Sequence, residues 1–199
     1  MRLWLLFLCS AASVWAQPFS AGIKAGVPLS DFVNTTQSGT FAYTSQTQRY
    51  IVGGTVELHL PLGFAVEFDA LYRHLQYSAA GNIEGFFTTS KTTASNWEFP
   101  LLLKYRFAFP VVRPYVDGGV AWDALSGVSQ TVESGSSPFA MKNNGATGFV
   151  LGGGIDIHAA FLHISPELRY TRWFTAPITD VAGLQSNQNQ AEFLVGFTF

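Results

Sequence analysis

The sequence predicts an all-β chain, an eight-stranded antiparallel up-and-down transmembrane β-barrel. Three observations carry this reading. Apolar residues recur with a period of two in eight separate segments, and the connections between those segments alternate strictly between short and long. Charged residues make up only 12% of the 199-residue chain, against 15% aromatics and 19 glycines. A soluble domain carries about 25% charge, and nothing after the N-terminal leader approaches the ~20 consecutive apolar residues of a spanning helix. The length suits one domain.

The N-terminus stands apart from the barrel. Arg2 gives a minimal positive start, Leu3 to Leu8 and the small residues after them form an apolar core, and Val14-Trp15-Ala16 makes a cleavage site before Gln17. That is the layout of a secretory signal peptide, so residues 1–16 are expected to be the signal and residues 17–199 the barrel domain. The single cysteine, Cys9, falls inside the leader, and Phe7-Leu8 do not supply the small residues that a lipoprotein site needs. The mature chain then has no disulfide, and in an oxidising compartment its stability has to come from the sheet.

The first segment sets Phe19, Ala21, Ile23, Ala25 and Val27 against Ser20, Gly22, Lys24 and Gly26. In the second, Tyr50 to Leu60 alternate with Ile51, Gly53, Thr55, Glu57 and His59; in the third, Phe64, Val66, Phe68, Ala70 and Tyr72 oppose Glu67, Asp69 and Arg73. The fourth is the clearest, with Trp97, Phe99, Leu101, Leu103, Tyr105 and Phe107 against Glu98, Lys104 and Arg106. Val116 to Trp122 oppose Asp117 and Asp123, Phe149 to Ile157 oppose Asp156 and His158, and Leu162 to Tyr170 oppose His163, Ser165, Glu167 and Arg169. The last segment, Ala191 to Phe199, opposes Glu192, Leu194, Gly196 and Thr198. No apolar row carries a charge, which argues for strands with one face in an apolar medium.

The connections distinguish lipid from a protein core. Pro61-Leu62-Gly63, the stretch around Ala108 to Val112, and Ala159-Ala160 are short; Leu29–Gln48, Ser78–Thr93, Ser126–Gly145 and Phe174–Asn189 are long and polar. Outer-membrane barrels show this alternation of periplasmic turns and extracellular loops. Aromatics sort by strand end in the same way. Phe19, Phe64, Phe107, Phe109, Tyr115, Phe161, Phe197 and Phe199 lie at the short-turn end, and Tyr50, Tyr72, Trp97, Trp122, Phe149, Tyr170 and Trp173 at the long-loop end, as two membrane interfaces favour. Pro100 and Pro166 fall inside strands, where proline removes a ladder hydrogen bond, so local bulges are expected there.

With these features in place the chain resembles the outer membrane protein β-barrel family, which includes OmpA-type and OmpX-type transmembrane domains and "porin family" proteins. The resemblance rests on Pro114-Tyr115-Val116-Asp117-Gly118-Gly119-Val120, Ile164-Ser165-Pro166-Glu167-Leu168-Arg169-Tyr170 and the terminal Phe193-Leu194-Val195-Gly196-Phe197-Thr198-Phe199. It implies a bacterial outer-membrane location reached through the secretory pathway. It also implies that Phe197 and Phe199 form a signal read by the barrel assembly machinery. No peptidoglycan-binding domain is expected after the last strand.

The polar rows all face one side and hold a candidate lumen charge network. Its acids are Glu57, Glu67, Asp69, Glu98, Asp117, Asp123, Asp156, Glu167 and Glu192; its bases are Lys24, Arg73, Lys104, Arg106 and Arg169, with Arg113 near the end. Eight strands leave an interior just wide enough to be filled by side chains, so pairing inside the barrel is expected in preference to a selectivity lining. His163-Ile164-Ser165 resembles the His-x-Ser pair of lipid A deacylases, but it sits in the lumen row near the periplasmic end, not on the lipid face where such a site belongs. Gly152-Gly153-Gly154 is followed by strand alternation, not a helix, so it is not a phosphate loop and is expected to make room for large neighbours. His59, His74, His158 and His163 lie on different strands, and their spacing matches no metal site. Arg172 and Lys142 are placed at the external rim, where they either meet lipopolysaccharide phosphates or stay solvated.

Net charge is −2 and the isoelectric point about 6.0, with no basic cluster, which excludes nucleic acid as a partner. The expected role is a non-enzymatic, monomeric barrel that interacts with partners through its external loops. A narrow porin is the alternative, and a lipid A-modifying enzyme a remote third. Outer-membrane lipid, including lipopolysaccharide, and the assembly machinery are the expected partners; no cofactor or metal is expected.

Overall fold

A computed structural model describes residues 18–30, 33–35, 41–45, 50–83, 86–109, 112–132, 145–159, 162–174 and 184–199. The leader, Phe161 and Lys142 lie outside these residues. Strands follow in the order β1 (Phe19–Pro28), β2 (Val33–Thr35), β3 (Phe41–Ser45), β4 (Ile51–His59), β5 (Phe64–Ile83), β6 (Phe86–Arg106), β7 (Val112–Val132), β8 (Thr147–Ala159), β9 (Leu162–Trp173), β10 (Leu184–Ser186) and β11 (Asn189–Thr198). Eight of them form the barrel. Its sheet runs β5-β4-β1-β11-β9-β8-β7-β6 and closes through β5–β6, with every neighbour antiparallel. Where the first barrel strand, β1, meets the last, β11, the Phe199 amide donates to the Ala21 carbonyl at 3.1 Å and the Ala21 amide returns the bond at 3.3 Å. The eight-stranded expectation therefore holds.

The two faces follow the period-two rows. Ile23, Val52, Val56, Phe68, Leu101, Leu103, Val116, Val120, Leu151 and Leu168 all point outward and are exposed. A belt of apolar residues on this scale suits lipid and not water. Aromatic pairs bracket it: Phe64 and Tyr105 lie 5.0 Å apart at the short-turn end, and Tyr72 and Trp97 lie 5.2 Å apart at the other. Two aromatics depart from the expected belts. Tyr115 and Trp173 are 2% and 1% exposed, because they share parity with the inward residues Asp117 and Arg169.

The prolines do not bulge the sheet. Pairing of β5 with β6 lapses at Pro100 and resumes in the same register, from Phe68↔Leu101 to Leu71↔Glu98. On the other side Pro100↔Ala121 is kept. Pro166 behaves alike, losing its neighbour on β8 and keeping Val195 on β11. A missing donor thus costs a rung without inserting a residue. The register shift that does occur lies at Thr93/Ser95, between β6 and β7.

A second correction concerns the long connections. Ser78–Thr93 is strand almost throughout: β5 and β6 pair as far as Ile83↔Phe86, and β7 continues to Val132. β3 pairs with the upper part of β5, from Phe41↔Gly81 to Ser45↔Tyr77, and β2 pairs with β10. Strands β5, β6 and β7 have 20, 21 and 21 residues, against 10 for β1 and 9 for β4. A membrane crossing takes about 9–11 residues. The barrel wall therefore rises on one side, at the long-loop end, into an extended sheet of β3, β5, β6 and β7.

The short turn after β4 carries the two positive φ angles among the described residues, 66° at Leu62 and 83° at Gly63. Glycine adopts that conformation freely, and a Cβ at Gly63 would stand 2.7 Å from the Arg106 carbonyl oxygen.

Candidate functional site

All the candidate charges face the barrel interior. Thirteen of the fourteen are buried, and Arg106, at 13% side-chain exposure, lies at the periplasmic end. They fall into three levels. At the centre Lys24 pairs with Glu67, with Asp69 at 3.1 Å and with Glu167 at 3.0 Å. Arg169 meets the same acids, Glu167 at 2.7 Å, Asp69 at 2.8 Å and Glu67 at 3.4 Å. Lys104 joins Glu67 to Glu57 at 3.4 Å and stands 4.3 Å above the Tyr115 ring. Tyr115 in turn donates its hydroxyl to Glu167 at 3.2 Å.

Towards the periplasm, Arg106 pairs with Glu57 and with Asp156 at 3.1 Å. Towards the outside, Arg73 pairs with Glu192 and with Glu98 at 3.2 Å, and donates to Gln190 at 3.3 Å. Beside this level lie two apolar clusters, Leu102, Ala121, Ala146, Val150 and Trp173, and Ile51, Leu71 and Leu194. Among the described residues Asp117 and Asp123 stand outside the ion pairs: Asp123 accepts the Ala146 amide, and neither Asp117 oxygen has a hydrogen-bond partner. Burying so many charges is tolerable only because nearly every one meets an opposite charge.

The glycine run on β8 has a packing role. A Cβ at Gly154 would stand 2.6 Å from the Tyr115 hydroxyl oxygen, and one at Gly152 would stand 2.4 Å from an Asp117 carboxylate oxygen. Small residues on β8 let the side chains of β7 lie across it towards Glu167.

At the periplasmic mouth a cavity of about 750 Å³ is lined by His59, Arg106, Arg113, Asp156, His158 and His163, with Phe64, Phe107 and Phe109 among its walls. The structure gathers what the sequence scattered: His158 and His163 face each other across the β8–β9 ladder, ring centres 3.9 Å apart. Ser165 does not form a hydrolytic trio with them. Its hydroxyl donates to Asp156 Oδ1 at 3.3 Å, and His163 Nδ1 lies 3.7 Å from the same oxygen. Both groups converge on the carboxylate, whereas a nucleophile must be bonded to the base. On the outer rim, Arg172 and Tyr170 both donate to Asn189 Oδ1 at 2.6 Å.

Comparison with known proteins places this architecture. A model of the outer membrane protein β-barrel domain matches residues 3–199. Among solved structures, the outer membrane protein OprG from Pseudomonas aeruginosa is 12% identical, with a TM-score of 0.58 over 90% of this chain and 92% of that one. The N-terminal β-barrel domain of Pseudomonas aeruginosa OprF is 17% identical, covering 90% and 97% of the two chains at a TM-score of 0.40. Neisserial surface protein A is 12% identical, covering 90% and 94% at 0.45. No curated protein matches the chain.

Proposed function

Since the chain belongs to the outer membrane protein β-barrel domain family, and so resides in the bacterial outer membrane, we propose that it is a non-enzymatic surface-interaction protein. Its filled barrel serves as an anchor for the one-sided sheet of β3, β5, β6 and β7. The observation that carries this reading is the interior itself. Ion pairs run from Arg106–Glu57 through Lys24–Glu67 to Arg73–Glu192, with Trp173 packed at the outer end. A conducting pore needs a continuous wet path, and this lumen is occupied by paired side chains at each level. The strands that outrun the membrane offer the contact surface. Refolded protein in planar bilayers is expected to give no stable single-channel steps; discrete, reproducible steps would establish the narrow porin instead.

Biogenesis completes the proposal. Residues 1–16 direct export, and the Phe197–Phe199 end is read by the assembly machinery, which leaves a monomer surrounded by outer-membrane lipid and lipopolysaccharide. The Phe199 side chain is 74% exposed on the outer face, free to meet a receptor before it meets lipid. Removal of Phe199 is expected to reduce the amount of barrel recovered from outer membranes while leaving refolding in detergent intact. Equal recovery of the truncated and full chains would show that Phe199 has no part in assembly.

A further inference from the structure

We propose that Asp156, His158 and His163 form a binding site for a transition-metal dication, with Zn²⁺ as the probe, at the periplasmic mouth of the barrel. The three residues stand on the lumen-facing row of one hairpin. His158 on β8 pairs directly with His163 on β9, and Asp156 lies two residues back on the same face as His158. One ligand atom from each lies within 4.8 Å of the others. Bonds of about 2.0–2.2 Å to a tetrahedral ion put ligand atoms roughly 3.3–3.6 Å apart, a contraction that side-chain rotation of two half-buried histidines supplies.

Two further observations point to a ligand. His158 Nδ1 is shielded from solvent and has no hydrogen-bond partner among the described residues, so a buried ring nitrogen is left to be satisfied by a ligand. The Asp156 carboxylate is also divided in its duties. Oδ2 is taken by Arg106 at 3.1 Å, while Oδ1 faces His163 and the Ser165 hydroxyl. The ion pair with Arg106 thus anchors one oxygen of the carboxylate, and the other, which also accepts from Ser165, is the one turned towards His163. Ser165 stands as an outer partner of the kind that orients a ligating carboxylate.

The chemistry of the set selects the class of ion. Imidazole nitrogens suit zinc, copper, nickel and iron, whereas magnesium and calcium prefer oxygen. Three protein ligands would leave a coordination position open, and all three residues line the cavity of about 750 Å³. A bound ion would clip the ends of β8 and β9 together.

The test uses the full barrel refolded in detergent and titrated with ZnCl₂ by calorimetry. One ion per chain is expected, with roughly tenfold or greater weakening in His158→Ala and in His163→Ala. His74→Ala, near the other end of the barrel, should leave binding unchanged, and MgCl₂ should give no saturable binding. In the unaltered protein, Zn²⁺ should shift the ring resonances of His158 and His163 and spare His74, which keeps the test decisive if a variant fails to fold. Absence of saturable zinc binding would overturn the proposal. So would binding that survives the double His158→Ala/His163→Ala change, or binding lost only in His59→Ala, which would place the ion on the neighbouring Glu57–His59 contact of 2.8 Å.

Discussion

Replacing Arg169 by leucine should destabilise the barrel by about 3–5 kcal/mol, the cost of breaking a buried ion cluster by removing one partner. Arg169 is buried and divides its guanidinium among Glu167, Asp69 and Glu67. Without it, Lys24 and Lys104 alone must offset three carboxylates in a space that eight strands leave barely wide enough for side chains. Leucine cannot hydrogen-bond to any of them, so the penalty is that of stranded anions and not of lost packing. Equilibrium unfolding in urea, with the protein in lipid vesicles, measures the difference. Arg172→Leu is the control, since Arg172 is exposed at the rim and bonds only to Asn189 among the described residues; its loss should change stability little. If both substitutions are equally mild, water fills the lumen and the account of a packed interior fails.

An arginine introduced at Leu101 should cost about 2–4 kcal/mol, the penalty for a cation facing lipid near the bilayer midplane. Leu101 lies in the outward row of β6, between Trp97 and Phe99 on one side and Tyr105 and Phe107 on the other, and is 40% exposed. On a water-facing surface the same change would be nearly neutral. Three residues along, on the opposite face, Lys104 is buried and bonded to Glu67. One strand thus tolerates a cation on one side and excludes it on the other. Unfolding in vesicles again gives the answer: a neutral Leu101→Arg would mean that this face does not meet hydrocarbon.

The sequence shows most of the barrel because lipid on one side and a charged lumen on the other force strict alternation. Where both faces meet the same surroundings, that signal fades. Ser78 to Thr93 carries no alternation of charge and grease, so it reads as loop although it pairs as strand to Ile83↔Phe86. Tyr115 and Trp173 read as interface aromatics by type and position along the strand, yet their parity with Asp117 and Arg169 already places them inside; parity outranks residue type. Pro100 and Pro166 suggest bulges because proline breaks a ladder, but strands held on the other side by Ala121 and Val195 keep their register. At the mouth, His158 and His163 are five residues apart, a spacing that looks wrong for a metal on a helix or in a ribbon. A hairpin with a short connection brings such positions face to face, and the short Ala159-Ala160 link is the clue that the sequence carries. The division of Asp156 between Arg106 and His163 is not legible at all, since it depends on which strands become neighbours on closure.

The placement of Lys24 has a consequence for how the barrel is made. It sits on β1, the strand that meets β11 to close the cylinder, yet its carboxylate partners lie 43, 45 and 143 residues away on β5 and β9. Charge balance at the centre is therefore a property of the finished ring and of no sequential part of it. An open sheet lacking β1 would hold Glu67, Asp69 and Glu167 against Arg169 and Lys104 alone, with an unsatisfied edge besides. Zipping the first strand to the last supplies the final cation and the final ladder in one event. Partly closed intermediates are thereby disfavoured twice, and folding of the barrel becomes cooperative through its interior as well as its backbone.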